Sequence, residues 1–230
     1  MAVEILPTLE LMLHIMSLSK SGGPESERFI AFRTAAGEGR AIPGYNPMTS
    51  EPVADTIESL LDIDAEAIAQ RVATATAQAI GMSDRVEMYF TVAAPGLWTD
   101  RFATEVDHRL KAIRPESILL WVDDDITVAH VEHQVTAQTV RLFEISRRDR
   151  RPPESLAQAV AQEGRALARA GSTGVLDPDA ARILDERGTD PSLSTAVAFL
   201  YGDDDAAKLG YSPLGLAGRT GYDHAVELAD

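Results

Sequence analysis

The chain has no cysteine, only three lysines (Lys20, Lys111 and Lys208) and no long uninterrupted apolar run in its 230 residues. Without cysteine there is no disulfide, no thiolate nucleophile, no Cys-ligated zinc and no iron–sulfur cluster. A transmembrane helix needs roughly 18 or more consecutive apolar residues, and no segment supplies them. The apolar start "MAVEILPTLELMLHIMSLSK" is interrupted by Glu4, Pro7, Glu10 and His14. It also lacks the basic start and small-residue cleavage site of a signal peptide, so the expectation is a soluble, cytoplasmic protein with no membrane partner. Several catalytic signatures are missing too. The glycine-rich stretches "AGEGRAIPG" and "LGLAGRTG" are neither a P-loop with its lysine nor G-x-G-x-x-G after a strand, and neither G-x-S-x-G nor H-E-x-x-H occurs.

Basic residues number 21 against 36 acids, a formal net charge of −15. Binding to nucleic acid is driven by clustered Lys and Arg that displace counterions, so the charge balance argues against such a partner. The densest basic stretch is "RRDRR", Arg147 to Arg151. It reads as the end of a helix, where cations meet the negative pole of the helix dipole.

What remains is an ordinary globular balance, 45% apolar and 25% charged. Hydrophobic spacing divides the chain into elements. Residues 5–20 are apolar on almost every side and read as a buried helix, with a short strand over Ala2 to Leu6 as the alternative. Residues 25–36 read as helical, 37–52 as an irregular segment rich in Gly and Pro, and 53–80 as two helices, the second capped by Asp64. "RVEMYFTVA" (85–93) alternates like a strand, and "SILLWV" (117–122) is a short buried strand. Between them Phe102, Val106, Leu110 and Ile113 mark a helix with Thr99 as its N-cap, and residues 126–148 form the longest helix. The remainder reads as helices at 153–170, 177–187, 191–201, 203–209 and 220–229.

The fold class is therefore α+β and predominantly helical. It has a small sheet containing a βαβ unit at 85–123, packed by helices, and a helical C-terminal part. The domain expectation is an α/β core over 1–150 with a helical subdomain over 151–230 packed on it; one domain over 1–230 is the alternative.

Two adjacent strands joined by a helix are normally parallel with a right-handed crossover, and ligands of such units bind beyond the carboxyl ends of the strands. That rule directs attention to two loops, "AAPGLWTDR" (93–101) and "DDD" (123–125). Trp98, Thr99, Asp100 and Arg101 are the candidate ligand-binding residues, and Asp123, Asp124 and His130 the candidate catalytic ones. Helix N-termini and the Arg101 fork suit a small anionic molecule, and the aspartates suit a hard divalent cation. Asp124, His130 and His133 form one metal-ligand option, and Glu105 with His108, spaced i,i+3, a weaker one. The bland alternative is that these acids only cap helices, that Arg101 pairs with Glu105, and that His130 and His133 lie on a helix flank. Two strands alone make too small a sheet, so residues 2–6 or 39–43 must add to it, or the pair is antiparallel and the shared edge is lost. His14 reads as a core histidine bonded to a neighbour such as Glu10, and His224 as a surface residue. Two functions stay open: an enzyme or binder of a small anionic molecule, with or without a divalent metal, at the strand ends; or a non-catalytic helical homo-oligomer or protein-interaction module.

Overall fold

The computed structural model describes residues 3–19, 21–37, 51–96 and 100–229. The expected strand at 39–43 and the candidates Trp98 and Thr99 lie outside the described residues. The fold is predominantly helical α+β, with a small parallel sheet. Its elements fall into two units, Met1–Thr99 with Glu116–Val135 and Asp100–Pro115 with Thr136–Asp230. Among the described residues no helix is long and apolar enough to cross a membrane.

The first unit contains β1 (Val3–Ile5), α1 (Leu9–Ser17), α2 (Glu27–Gly37), α3 (Glu51–Asp62), α4 (Ala65–Ala79), β2 (Val86–Ala93) and β3 (Ser117–Trp121). The sheet order is β1-β2-β3 and both pairings are parallel, with Val3 opposite Val86 and Phe90 opposite Ile118. The question left by the sequence is thus answered: the third strand comes from the N-terminus, and all three carboxyl ends share one edge. The single helix expected over 5–20 is instead a strand followed by a shorter helix. The reason is that a strand of three residues, Val3–Ile5 with Glu4 between, is too short to show its own period beside the apolar helix that follows. Pro7 separates the two elements, and it cannot supply a ladder N–H.

β1 is an edge strand, and its exposed backbone is covered by one side chain of α4. The Ile5 N–H donates to Gln70 Oε1 at 2.9 Å, and Gln70 Nε2 donates to the Val3 carbonyl at 3.0 Å. A glutamine here does the work of a further strand and closes an edge that would otherwise be open to pairing. The close approach is allowed by an alanine stripe on α4: Ala65, Ala69, Ala73 and Ala77 recur every four residues and are fully buried. Asp64, expected to cap α4 through its side chain, sits before it in the left-handed region and makes no such bond. Its carbonyl alone accepts the first helical N–H, from Ile68. His14 is exposed, because the buried positions of α1 are Leu9, Met12, Ile15 and Met16 and leave it on the opposite side.

The long helix α6 (Val128–Ser146) begins in the first unit and continues in the second. The second unit also holds α5 (Arg101–Leu110), α7 (Leu156–Arg169), α8 (Pro178–Arg187), α9 (Leu193–Tyr201), α10 (Asp203–Lys208) and α11 (Thr220–Ala229). α7 and α11 pack closely at Gly164, where a Cβ would lie 2.8 Å from the Ala225 carbonyl carbon and closer still to its oxygen. The core here contains Leu156, Val197, Phe199, Leu200 and Tyr222. It also contains an ion pair: Glu163 is fully buried and receives Arg141 Nε at 2.9 Å and Arg141 Nη2 at 2.9 Å. Between α10 and α11 the chain has little regular structure, yet the Asp203 carboxylate accepts the amides of Leu214 at 2.7 Å and Gly215 at 2.9 Å. The Asp203 N–H returns the bond to the Leu216 carbonyl at 2.9 Å.

Candidate functional site

The carboxyl edge of the sheet is built by the turns that leave its strands. After β1 the chain reaches α1, whose first amides have no helical acceptor. The carboxylate of Glu66, in the first turn of α4, takes both, at 2.7 Å from Thr8 N and 2.9 Å from Leu9 N. The anion site at this helix N-terminus is therefore filled from within the chain. Thr8 Oγ1, in contrast, is buried without a hydrogen-bond partner.

After β3 the chain folds back on itself. The Trp121 N–H donates to Asp124 Oδ2 at 2.9 Å, and the Asp124 N–H donates to the Trp121 carbonyl at 3.0 Å. Aspartate suits such a turn because its short carboxylate can reach a nearby amide. The turn leads into α6, where Thr127 Oγ1 accepts the His130 N–H at 3.1 Å and the Thr127 carbonyl accepts the Val131 N–H. One turn into the helix, His130 Nε2 comes back to 3.4 Å from Asp124 Oδ2. The Asp124 side chain is 9% exposed and that of His130 26%, but Nε2 itself is buried and makes no hydrogen bond. The exposed part of the ring is therefore its other side. Asp123 and Asp125 flank this pair and are exposed.

The remaining candidates are placed as follows. Asp100, not Thr99, is the N-cap of α5: its Oδ1 accepts the Ala103 N–H at 2.7 Å. Both residue types suit the position, and the aspartate one place later takes it. Arg101 Nε lies 3.2 Å from Glu105 Oε1, the i,i+4 pairing weighed as the bland alternative, and Arg109 approaches the other oxygen of Glu105 at 3.4 Å. Both Glu105 oxygens thus face guanidinium groups, and His108 is buried in the same helix. His133 is half-buried on α6. Among the described residues no three of His, Asp or Glu gather as a metal-ligand set. The metal options built on Asp124, His130 and His133, and on Glu105 with His108, find no support there. The structure brings together Asp124 and His130, and at the same sheet edge it adds Glu66, Thr8 and Thr127. Thr127 carries a local signal that the helix drawn from residue 126 passed over, a cap-forming residue just before an apolar-periodic helix. Glu66 and Thr8 meet across 58 residues of chain and carry no local signal.

His224, expected at the surface, is 2% exposed. Its Nδ1 accepts the Asp177 N–H at 3.0 Å, so the neutral ring carries its proton on Nε2. Burial pushes the imidazole below its ordinary value, and the Asp177 charge opposes the shift. It lines a cavity of about 280 Å³ together with Leu176, Leu184 and Leu228.

No protein-family model, no curated protein and no solved structure matches the chain.

Proposed function

We propose that the chain binds a small anionic molecule at the carboxyl edge of its parallel sheet, and that His130, oriented by Asp124, moves a proton there. The observation that carries this reading is the buried approach of His130 Nε2 to the Asp124 carboxylate at the strand end. A carboxylate on one ring nitrogen favours the tautomer protonated at that nitrogen, which leaves the other as acceptor and base. Support for an anionic ligand comes from the α6 N-terminus, whose dipole and first-turn amides favour negative charge beside the imidazole. The proposal places the protein in the cytoplasm, consistent with a cysteine-free chain.

The test is residue-resolved NMR of the His130 ring and the Val128 and Ala129 amides during titration with inorganic phosphate and with acetate, in the wild type and in Asp124→Asn. The expected result is a saturable shift at these groups in the wild type and, in the variant, a changed ratio of the two neutral His130 tautomers, read from the ring nitrogen shifts. If neither anion moves these groups and Asp124→Asn leaves the His130 tautomer ratio unchanged, the reading is wrong.

A second reading, self-association or binding of another protein, is favoured by one observation. Val175, Leu176 and Leu228 are 70%, 58% and 53% exposed, and the two leucines line the cavity beside His224. Light scattering on the wild type and Leu176→Asp tests it; a monomer in both cases argues against self-association.

A further inference from the structure

A groove in the second unit gathers positive charge in a chain that is strongly acidic. It lies between the end of α6 and the start of α7, has a volume of about 490 Å³, and is lined by Arg147, Arg148 and Arg165 with Glu144, over the small side chains of Ala157 and Ala161. The bases of α6 and of the turn after it come from the "RRDRR" run, which the sequence explained only as the end of a helix. Two consecutive residues of that turn, Asp149 (φ 53°) and Arg150 (φ 64°), are held in the left-handed region. This conformation is unfavourable for residues with a Cβ, and here it bends the chain from α6 towards α7.

The charges within the groove do not balance. Among the described residues Glu144 is the one carboxylate lining it, and its side chain is 8% exposed; its Oε1 lies 2.9 Å from Arg165 Nε and its Oε2 3.9 Å from Arg148 Nη1. One acid therefore serves two guanidinium groups. Arg148 is further fixed by a hydrogen bond to Gln162. The third guanidinium, Arg147, lies 5.6 Å from the centre of the Phe143 ring and has no carboxylate partner among the described residues. Burial draws the Arg148 guanidinium below its ordinary value; Glu144 and, more weakly, Glu154 oppose this, and the charge of Arg165 adds to it. Like charges held this close repel, and an anion between them relieves the repulsion. Each guanidinium also presents paired N–H groups that match the oxygens of carboxylate or phosphate.

We propose that this groove binds a compact oxyanion of charge −2 or more, a phosphate ester or a polycarboxylate. It is separate from the His130 reading and does not depend on it. A long polyanion is disfavoured, because the chain as a whole carries a net charge of −15 and repels it.

The test is an amide and arginine-Nε NMR titration with sodium pyrophosphate and, separately, citrate, at constant ionic strength. Saturable shifts at Ala157–Ala161 and at the Nε groups of Arg147, Arg148 and Arg165 with either probe support the site, and the better probe identifies the class. Arg147→Gln is expected to weaken binding at least tenfold. Arg147 is exposed and its guanidinium has no carboxylate partner among the described residues, so this variant is expected to fold normally. Glu144→Gln removes the competing carboxylate and is expected to tighten binding several-fold, which a purely structural salt-bridge cluster would not do. If neither probe saturates, or if Arg147→Gln binds as well as the wild type, the proposal is overturned.

Discussion

Replacing Gly164 by alanine should destabilise the protein, although the same exchange in most helices does the opposite. Alanine is favoured over glycine inside a helix by about 0.8–1 kcal/mol. Gly164 lies within α7 and is buried, so this gain is available in principle. The added Cβ, however, would lie 2.8 Å from the Ala225 carbonyl carbon, where ordinary van der Waals contact begins at 3.4 Å, and its oxygen is nearer still. The obstacle is helix backbone, which cannot rotate aside as a side-chain tip can. Overpacking of this kind costs typically about 1–3 kcal/mol, and a rigid obstacle puts Gly164→Ala at the upper end. Set against the propensity gain, the net loss is about 2 kcal/mol, or about 4–8 °C in melting temperature for a chain of this length. Denaturant unfolding followed by circular dichroism measures it. Ala157→Gly, at an exposed position of the same helix, shows the ordinary direction of the exchange and should cost no more than about 1 kcal/mol. A Gly164→Ala protein as stable as the wild type, or more so, would refute the claim that α7 and α11 meet backbone to backbone.

Removing one member of the buried pair, Arg141→Met or Glu163→Gln, should cost about 3–5 kcal/mol, while replacing both by apolar residues should recover most of the loss; a double-mutant cycle of unfolding free energies checks this. Burial alone would raise the Glu163 carboxyl, but the Arg141 charge and hydrogen bonds, with Arg109 behind them, hold it below its ordinary 4.5. Its contribution is thus complete above about pH 4.5 and lost as the pH falls through the folded value. His224 sets a second window. Its folded value lies below the ordinary 6.5, so the unfolded chain binds more protons as the pH drops past that point. Stability should be full above about pH 6.5 and decline as the pH falls towards and through the folded value. In His224→Gln the decline that sets in below pH 6.5 should flatten; a wild type whose melting temperature does not fall at all as the pH drops below 6.5 would contradict the assignment.

The elements that could be read from the sequence were those with a strong period or clear punctuation. β2 lies where its alternation and β-branched content put it, although Met88, Tyr89 and Phe90 are buried together, and α5 follows its spacing of four and four as far as Leu110, while Ile113 lies beyond its end and is exposed; the Gly and Pro breaks mark off the C-terminal helices. The N-terminal strand was only one of two options, because a three-residue strand, Val3–Ile5, does not show whether β2 will pair with it. The two misplaced histidines have one common cause. Burial of His14 or His224 is decided by the face their helices turn to partners, and for His224 the partner is the Asp177 amide, 47 residues earlier. The nearness of Asp124 and His130 was legible, because a tight turn followed by a helix start returns a side chain across six positions. Glu66 at the α1 N-terminus was not, since its role depends on where α4 lies against β1. The imbalance of the arginine groove was equally hidden, because Arg165 and Glu144 come together only when α6 and α7 do.

The Asp203 carboxylate changes the meaning of the connection between α10 and α11. By its lack of regular structure, this stretch would be taken as a place to insert an epitope or to expect early cleavage by a protease. It is instead clasped at its middle. Two amides and one carbonyl are tied to a single residue at the start of α10, so opening it strands a charge and three backbone groups together. In hydrogen exchange such a segment opens as a unit with the helices it joins, and it belongs with the framework of the unit more than with its periphery.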